Sequence, residues 1–225
     1  GTIRVGNIAS AGAICIVHRN GGTFNNKTSG AIYMDRTTAG GQAFYSSGLV
    51  NNQGAINIGS NADLNGEGIR IEGNIFNNEA LIEIGSQSDV KRYGIINFST
   101  FNNKAGGEIR INRIGVPNTN VIGAIRNEGT FTNDAKITVG NIGLVRAQDG
   151  ILNVSGSFTN SATGIISIEK PWGNGIWHYS GIFQNAGKSY STGAELMYTR
   201  KFSNWLTCNL NMNGYQNIID GFTVT

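Results

Sequence analysis

An apolar residue, a polar residue and an asparagine recur seven times along this chain. They stand as Phe24-Asn25-Asn26, Val50-Asn51-Asn52, Phe76-Asn77-Asn78, Phe101-Asn102-Asn103, Phe131-Thr132-Asn133, Phe158-Thr159-Asn160 and Phe183-Gln184-Asn185. Successive anchors are separated by 26, 26, 25, 30, 27 and 25 residues. A fixed period of this length marks a solenoid, in which each repeat contacts its neighbours and none folds alone.

Two further elements share the period. After each of the first six anchors comes Ile32-Tyr33-Met34, Ile56-Asn57-Ile58, Ile82-Glu83-Ile84, Ile109-Arg110-Ile111, Ile137-Thr138-Val139 or Ile166-Ser167-Ile168. Apolar and polar residues alternate there with the period of a half-buried strand. A third short run, usually opened by Gly, precedes most anchors: Gly68-Ile69-Arg70-Ile71, Gly94-Ile95-Ile96, Gly123-Ala124-Ile125, Gly150-Ile151-Leu152 and Gly175-Ile176-Trp177. The pattern predicts an all-β parallel β-helix of about 26 residues and three short strands per coil, with a right-handed coil as the default for parallel crossovers. The 33 glycines and only two prolines suit short strands joined by tight turns.

Stacking makes the Phe positions an internal aromatic file. The third anchor position is Asn in every repeat: Asn26, Asn52, Asn78, Asn103, Asn133, Asn160 and Asn185. An amide carries both donors and an acceptor, so identical side chains can bond along a stack, and Asn also tolerates a left-handed corner. These residues are expected to form a structural ladder. Next to them, Lys27, Gln53, Glu79, Lys104, Asp134, Ser161 and Ala186 read as a solvated edge with weak ion pairs.

The longest insertions fall between the Ile-x-Ile strand and the next Gly-led strand, and stacking would project them from one edge of the rod. Arg36, Arg92, Tyr93, Arg113, Arg146 and Trp172 lie there and are the candidate ligand contacts. Solenoids often bind partners through such an edge.

From about Gly187 the pattern changes. Trp205 to Gly214 alternates apolar and polar residues, and Tyr190 to Phe202 reads as its partner strand across a Ser203-Asn204 turn. The expected organisation is a β-helix of about seven coils over residues 1–186 and a C-terminal β-hairpin cap, or outer-membrane-barrel-like segment, over 187–225. The opening Thr2-Ile3-Arg4-Val5-Gly6 reads as mid-repeat, so the chain is expected to be a processed protein or a fragment.

The formal charge is only +3, and the Lys and Arg residues are scattered, so no nucleic-acid footprint is expected. Cys15 and Cys208 lie far apart and read as free thiols. No metal or cofactor motif is apparent. Asp35, Asp63, Glu67, Glu72, Glu79, Glu83, Asp89 and Glu108 are scattered, and neither His18 nor His178 has an evident acidic partner, so no catalytic residue is assigned and no enzyme is expected. A polysaccharide lyase or hydrolase is the catalytic alternative.

The recurrent Phe-Asn-Asn and Ile-x-Ile pattern resembles the repeats of secreted bacterial surface proteins, such as filamentous-haemagglutinin-like adhesins and autotransporter passengers. Phe183-x-Asn185-x-Gly187, Gly193-x-Glu195-Leu196 and Asn204-Trp205-Leu206 resemble the barrel region of TonB-dependent outer-membrane receptors. The first resemblance implies a non-catalytic extracellular or cell-surface solenoid whose partners are glycans or surface proteins. The second implies outer-membrane association.

Overall fold

A computed structural model describes residues 1–6, 12–19, 21–35, 41–114, 123–140, 149–169, 173–192, 195–201, 207–213 and 217–224, with side chains described as far as Gly187. Among these residues the regular structure is entirely β. The chain is a parallel β-solenoid whose three faces are each a stack of short parallel strands.

In coil 3, for example, strands run over Glu67–Ile71, Ile75–Asn78 and Leu81–Ile84. Every anchor strand pairs in register with the next coil's anchor: Phe76 opposes Phe101 and Phe101 opposes Phe131, while Asn78 opposes Asn103 and Asn103 opposes Asn133. The longer spacing between the fourth and fifth anchors is absorbed outside the strands, so the register survives it. Each coil presents its strand edges to the coils above and below, about 4.8 Å away. The Gly-led strands form a seven-stranded sheet of their own.

The core combines three aliphatic files, which contain Ile82, Ile84 and Ile69, with an aromatic one. Phe76, Phe101, Phe131, Phe158 and Phe183 stack with ring centroids 4.7–5.1 Å apart and planes within 8° of parallel. All five are at most 1% exposed, and burial of each ring contributes about 1.5–3 kcal/mol. The file changes at coil 2, where the anchor is Val50. There Phe44, from the Gly-led sheet, fills the space and meets both Phe24 and Phe76 edge-to-face, at 5.3 and 5.9 Å. A short residue on one face is thus offset by a large one on another.

The asparagine ladder is present from the first coil to the seventh. Each Asn Nδ2 donates to the Oδ1 of the next, from Asn26 through Asn52, Asn78, Asn103, Asn133 and Asn160 to Asn185, at 2.6–2.8 Å. The seventh anchor, Phe183 to Asn185, therefore belongs to the stack. Two of these amides also donate to a backbone carbonyl two residues on, Asn78 to Ala80 at 2.8 Å and Asn133 to Ala135 at 3.1 Å, which ties down the corner. The corner itself needs no left-handed asparagine. Positive φ occurs instead at glycines of several corners, among them Gly85 at +70°, where an added Cβ would lie 2.4 Å from the Arg113 carbonyl, and at Asn74, which lies outside the ladder.

Two more ladders accompany the first. On the outside of the same sheet, Asn51 donates to Asn25, Asn77 to Asn51 and Asn102 to Asn77, at 3.0–3.1 Å. This ladder runs in the opposite sense to the buried one. Inside the Gly-led sheet, Asn97 donates to Asn127 and Asn127 to Asn153 at 2.7–2.8 Å, and Asn153 reaches His178 Nδ1 at 3.1 Å. Burial lowers the pKa of His178, which suits a neutral ring accepting at Nδ1. In this file Ile71 separates the upper pair, His18 and Ser46, from the asparagines below.

The insertion corner is not simply a set of projecting loops. In coils 2–4 it carries its own buried file, in which Leu64, Val90 and Ile114 are at most 1% exposed and bridge in parallel. The charged edge forms as expected: Gln53 donates to Glu79 at 3.0 Å and Lys104 lies 3.5 Å from Glu79.

At the C-terminal end, Ile182–Thr192 runs straight through a corner and pairs with coil 6 on both of its faces. Asn217–Val224 then pairs antiparallel along it, with a register shift between Asn185 and Lys188. A separate antiparallel hairpin joins Glu195–Lys201 to Thr207–Asn213. The sequence pattern placed the first hairpin strand at Tyr190 to Phe202. Its first residues instead complete the coil, because Tyr190 to Thr192 pair with Ser167 to Glu169. The Ser203-Asn204 turn lies outside the described residues. Cys15 is a free, half-buried thiol, and burial pushes its pKa to about 11.

Candidate functional site

Strand alternation dictates what the Gly-led sheet shows to the outside. In coil 3, Ile69 and Ile71 point inward and are 0% exposed, which turns Arg70 and then Glu72 outward. The register carries this down the stack. One outward column reads Val17, Tyr45, Arg70, Ile96, Arg126, Leu152 and Trp177. The residues two further along each coil are Arg19, Ser47, Glu72, Phe98, Glu128, Val154 and Tyr179. Arginines, carboxylates and aromatic rings thus gather from six of the seven coils onto one face, the sixth coil supplying Leu152 and Val154.

The centre of this strip is tightly cross-linked. Arg70 binds Glu72 through Nε at 2.7 Å and Nη2 at 2.6 Å, and reaches Glu67 through Nη1 at 3.3 Å. Its guanidinium carbon lies 4.9 Å from the centre of the Phe98 ring. The Tyr45 hydroxyl donates to Glu72 at 2.7 Å. That hydrogen bond, with Arg70 next, holds the Glu72 carboxyl below the usual carboxylate range and raises the Tyr45 phenol. Glu67, only 3% exposed, also receives Gln42 at 3.4 Å and lies 3.5 Å from Arg92.

The same motif returns two coils later. Arg126 donates from Nε to Glu128 at 2.6 Å and from Nη1 to the Tyr93 hydroxyl at 3.2 Å. Its guanidinium carbon sits 5.6 Å from the Tyr93 ring centre. Arg70-Ile71-Glu72 and Arg126-Asn127-Glu128 therefore bracket Ile96 and Phe98. At the far end of the strip Tyr179 is 72% exposed and Trp177 is half-buried.

Two of the six candidate contacts join this strip. Arg92 is an exposed partner of Glu67, whereas Tyr93 is 7% exposed and supports Arg126 rather than offering a free ring face. Arg113 is half-buried in the insertion corner; its Nε is buried without a partner among the described residues, and its carbonyl accepts from Val90 N at 3.1 Å. Arg36, Arg146 and Trp172 lie outside the described residues. The larger part of the strip was not among the candidates. Arg70, Glu72, Phe98, Arg126 and Glu128 sit on strands or just after them, at intervals that connect only once the coils are stacked. The available signal was the Arg-x-Glu spacing repeated at 70 and 126.

No cluster of His, Cys, Asp and Glu suited to a metal occurs among the described residues. Comparison with known proteins returns no significant match to a family model, a curated protein or a solved structure.

Proposed function

We propose that this chain is a non-catalytic adhesive or structural solenoid of a bacterial cell surface, whose outer Arg–Glu–aromatic strip contacts glycans on a partner surface. The observation that carries the reading is the strip itself. It sets ion-paired guanidiniums and aromatic rings on a backbone held by strand pairing on both sides, so the contact groups are pre-organised and binding orders little. Aromatic rings present apolar faces to sugar C–H groups, while Arg and Glu offer donors and acceptors to hydroxyls.

The surface location rests on the likeness of the repeat to exported adhesins and passengers. A glycan on the opposing surface is favoured over a protein because the contact groups form a narrow strip along the rod rather than a broad apolar patch.

The test is a glycan array probed with the whole chain, alongside incubation with the same polysaccharides and analysis for cleavage products. Retention of glycans without cleavage is the expected result. Release of new reducing ends or unsaturated products would reverse the non-catalytic assignment, and absence of any retention would remove the adhesive one.

A further inference from the structure

Resting on the glycan-adhesion reading, we infer that the strip takes an uncharged, linear, β-linked polysaccharide lying along the solenoid axis, and that one disaccharide spans the distance between the two Arg-x-Glu pairs.

The charge balance sets the ligand class. Between coils 3 and 5 the strip holds Arg70, Arg92 and Arg126 against Glu67, Glu72 and Glu128, three of each sign, and every guanidinium has a carboxylate partner within 3.5 Å. A uronate or sulfate would have to displace one of those carboxylates and would meet its negative charge. A pair of neighbouring hydroxyls meets no such penalty. One hydroxyl donates to the carboxylate while the other accepts from the guanidinium, so both members of the ion pair are used.

Direction and repeat follow from the stacking. Arg70 and Arg126 occupy one outward column two coils apart, which is about 9.6 Å at the usual strand spacing. That is close to the length of a disaccharide unit in an extended β-linked polysaccharide. The coil between them presents Phe98, 37% exposed, beside Arg70 and in reach of a sugar ring held between the two pairs. Two coils beyond the second pair, Trp177 and Tyr179 present aromatic rings on the same face. A chain bound across the rod would meet only one Arg–Glu pair; a chain bound along it meets both.

The experiment measures binding of the whole chain, by calorimetry or ligand-observed NMR, to cellohexaose, xylohexaose and chitohexaose, and in parallel to a hexameric oligogalacturonate. At least one neutral hexamer should bind with an affinity that barely changes between low and high salt, and its disaccharide should bind far more weakly. Phe98→Ala should weaken that binding about five-fold, the effect of losing one ring contact. The double variant Glu72→Gln/Glu128→Gln, checked for an unchanged melting profile, should lose neutral binding and gain salt-sensitive binding to oligogalacturonate. Binding of the unaltered chain to oligogalacturonate alone, fading with salt, would overturn this inference and leave the adhesive reading standing. Binding to none of the four, together with an empty glycan array, would overturn both. Neutral binding undiminished by Phe98→Ala and by Glu72→Gln/Glu128→Gln would place the ligand elsewhere on the rod and refute the strip.

Discussion

Replacing Asn103 isolates the contribution of the buried ladder. Asn103 is 0% exposed; it donates to Asn133 at 2.7 Å and to the Lys136 carbonyl at 3.2 Å, and accepts from Asn78 at 2.8 Å. Asn103→Leu removes all three bonds. Asn78 keeps an acceptor at Ala80, but Asn133 Oδ1 loses its ladder donor inside the core. One stranded buried acceptor and the lost bonds together cost about 3–5 kcal/mol. At about 2–4 °C per kcal/mol for a chain of this size, the midpoint of thermal unfolding should fall by roughly 10 °C.

Asn103→Asp sharpens the test. Asn133 is committed to donating to Asn160 and Ala135, so it presents its oxygen to position 103. A carboxylate there meets an acceptor in a dry site, which raises its folded pKa above the unfolded value of about 3.9. With the folded pKa raised, stability from this group is greatest below the unfolded pKa and is lost as pH rises through the folded one. The Asp variant should therefore be strongly destabilised at pH 7 and recover much of the loss towards pH 4, whereas the Leu variant should show no such recovery. Asn102→Ala, in the outer ladder, is the control and should cost under about 1 kcal/mol. Chemical denaturation followed by circular dichroism reads all three. Equal losses for the inner and outer variants, or an Asp variant indifferent to pH, would refute the assignment of stability to the buried amides.

Other substitutions probe separate features. Val50→Phe should destabilise by about 1–3 kcal/mol because Phe44 already fills that space, and Phe44→Ala should cost about 3–5 kcal/mol. The double variant should cost clearly less than their sum in the same denaturation assay, and simple additivity would show that the two sites do not share a cavity. Gly85→Ala, with positive φ and a Cβ 2.4 Å from a backbone oxygen, should lower the melting temperature more than Gly106→Ala, whose nearest neighbour is at 3.3 Å. Burial pushes the Asp149 carboxyl up to about 6, while Asn174 donates to it at 2.8 Å. Its contribution to stability is present below about pH 4 and is lost as pH rises through 6, so Asp149→Asn should flatten the stability profile between about pH 4 and 6.

Much of the coil was legible because its signals are local and repeated. Phe76, Ile82 and Asn78 each declare a face through alternation, and the period aligns them with their copies. Phe44 was not legible as a core filler, because it belongs to a different strand from the Val50 position it completes. The second buried ladder is harder to read because it is short: the Ile-x-Asn of 95–97, 125–127 and 151–153 recurs in only three coils, with Ile71 at the same register position on one side and His178 on the other. The strip was hidden for a related reason. Arg70 meets Phe98 and Tyr93 meets Arg126 only across coils, so no window of sequence contains either contact. At the C-terminal end, Asn217–Val224 carries no repeat signature, and its partner strand, Ile182–Thr192, joins the seventh anchor to the start of an alternating run.

The unequal lengths of the opposed ladders give the rod an electrical polarity. Side-chain amides that all point one way add their dipoles, much as peptide groups do along a helix. Across coils 1–4 the outer row, Asn25 to Asn102, points against the inner row and offsets it. Below coil 4 the outer positions pass to Thr132, Thr159 and Gln184, while Asn97, Asn127 and Asn153 add a second inner row of the same sense. The amide hydrogens of both then face coil 7 without an opposing partner row. That end of the stack should favour electron-rich neighbours, a role that the imine nitrogen of an uncharged His178 already fills.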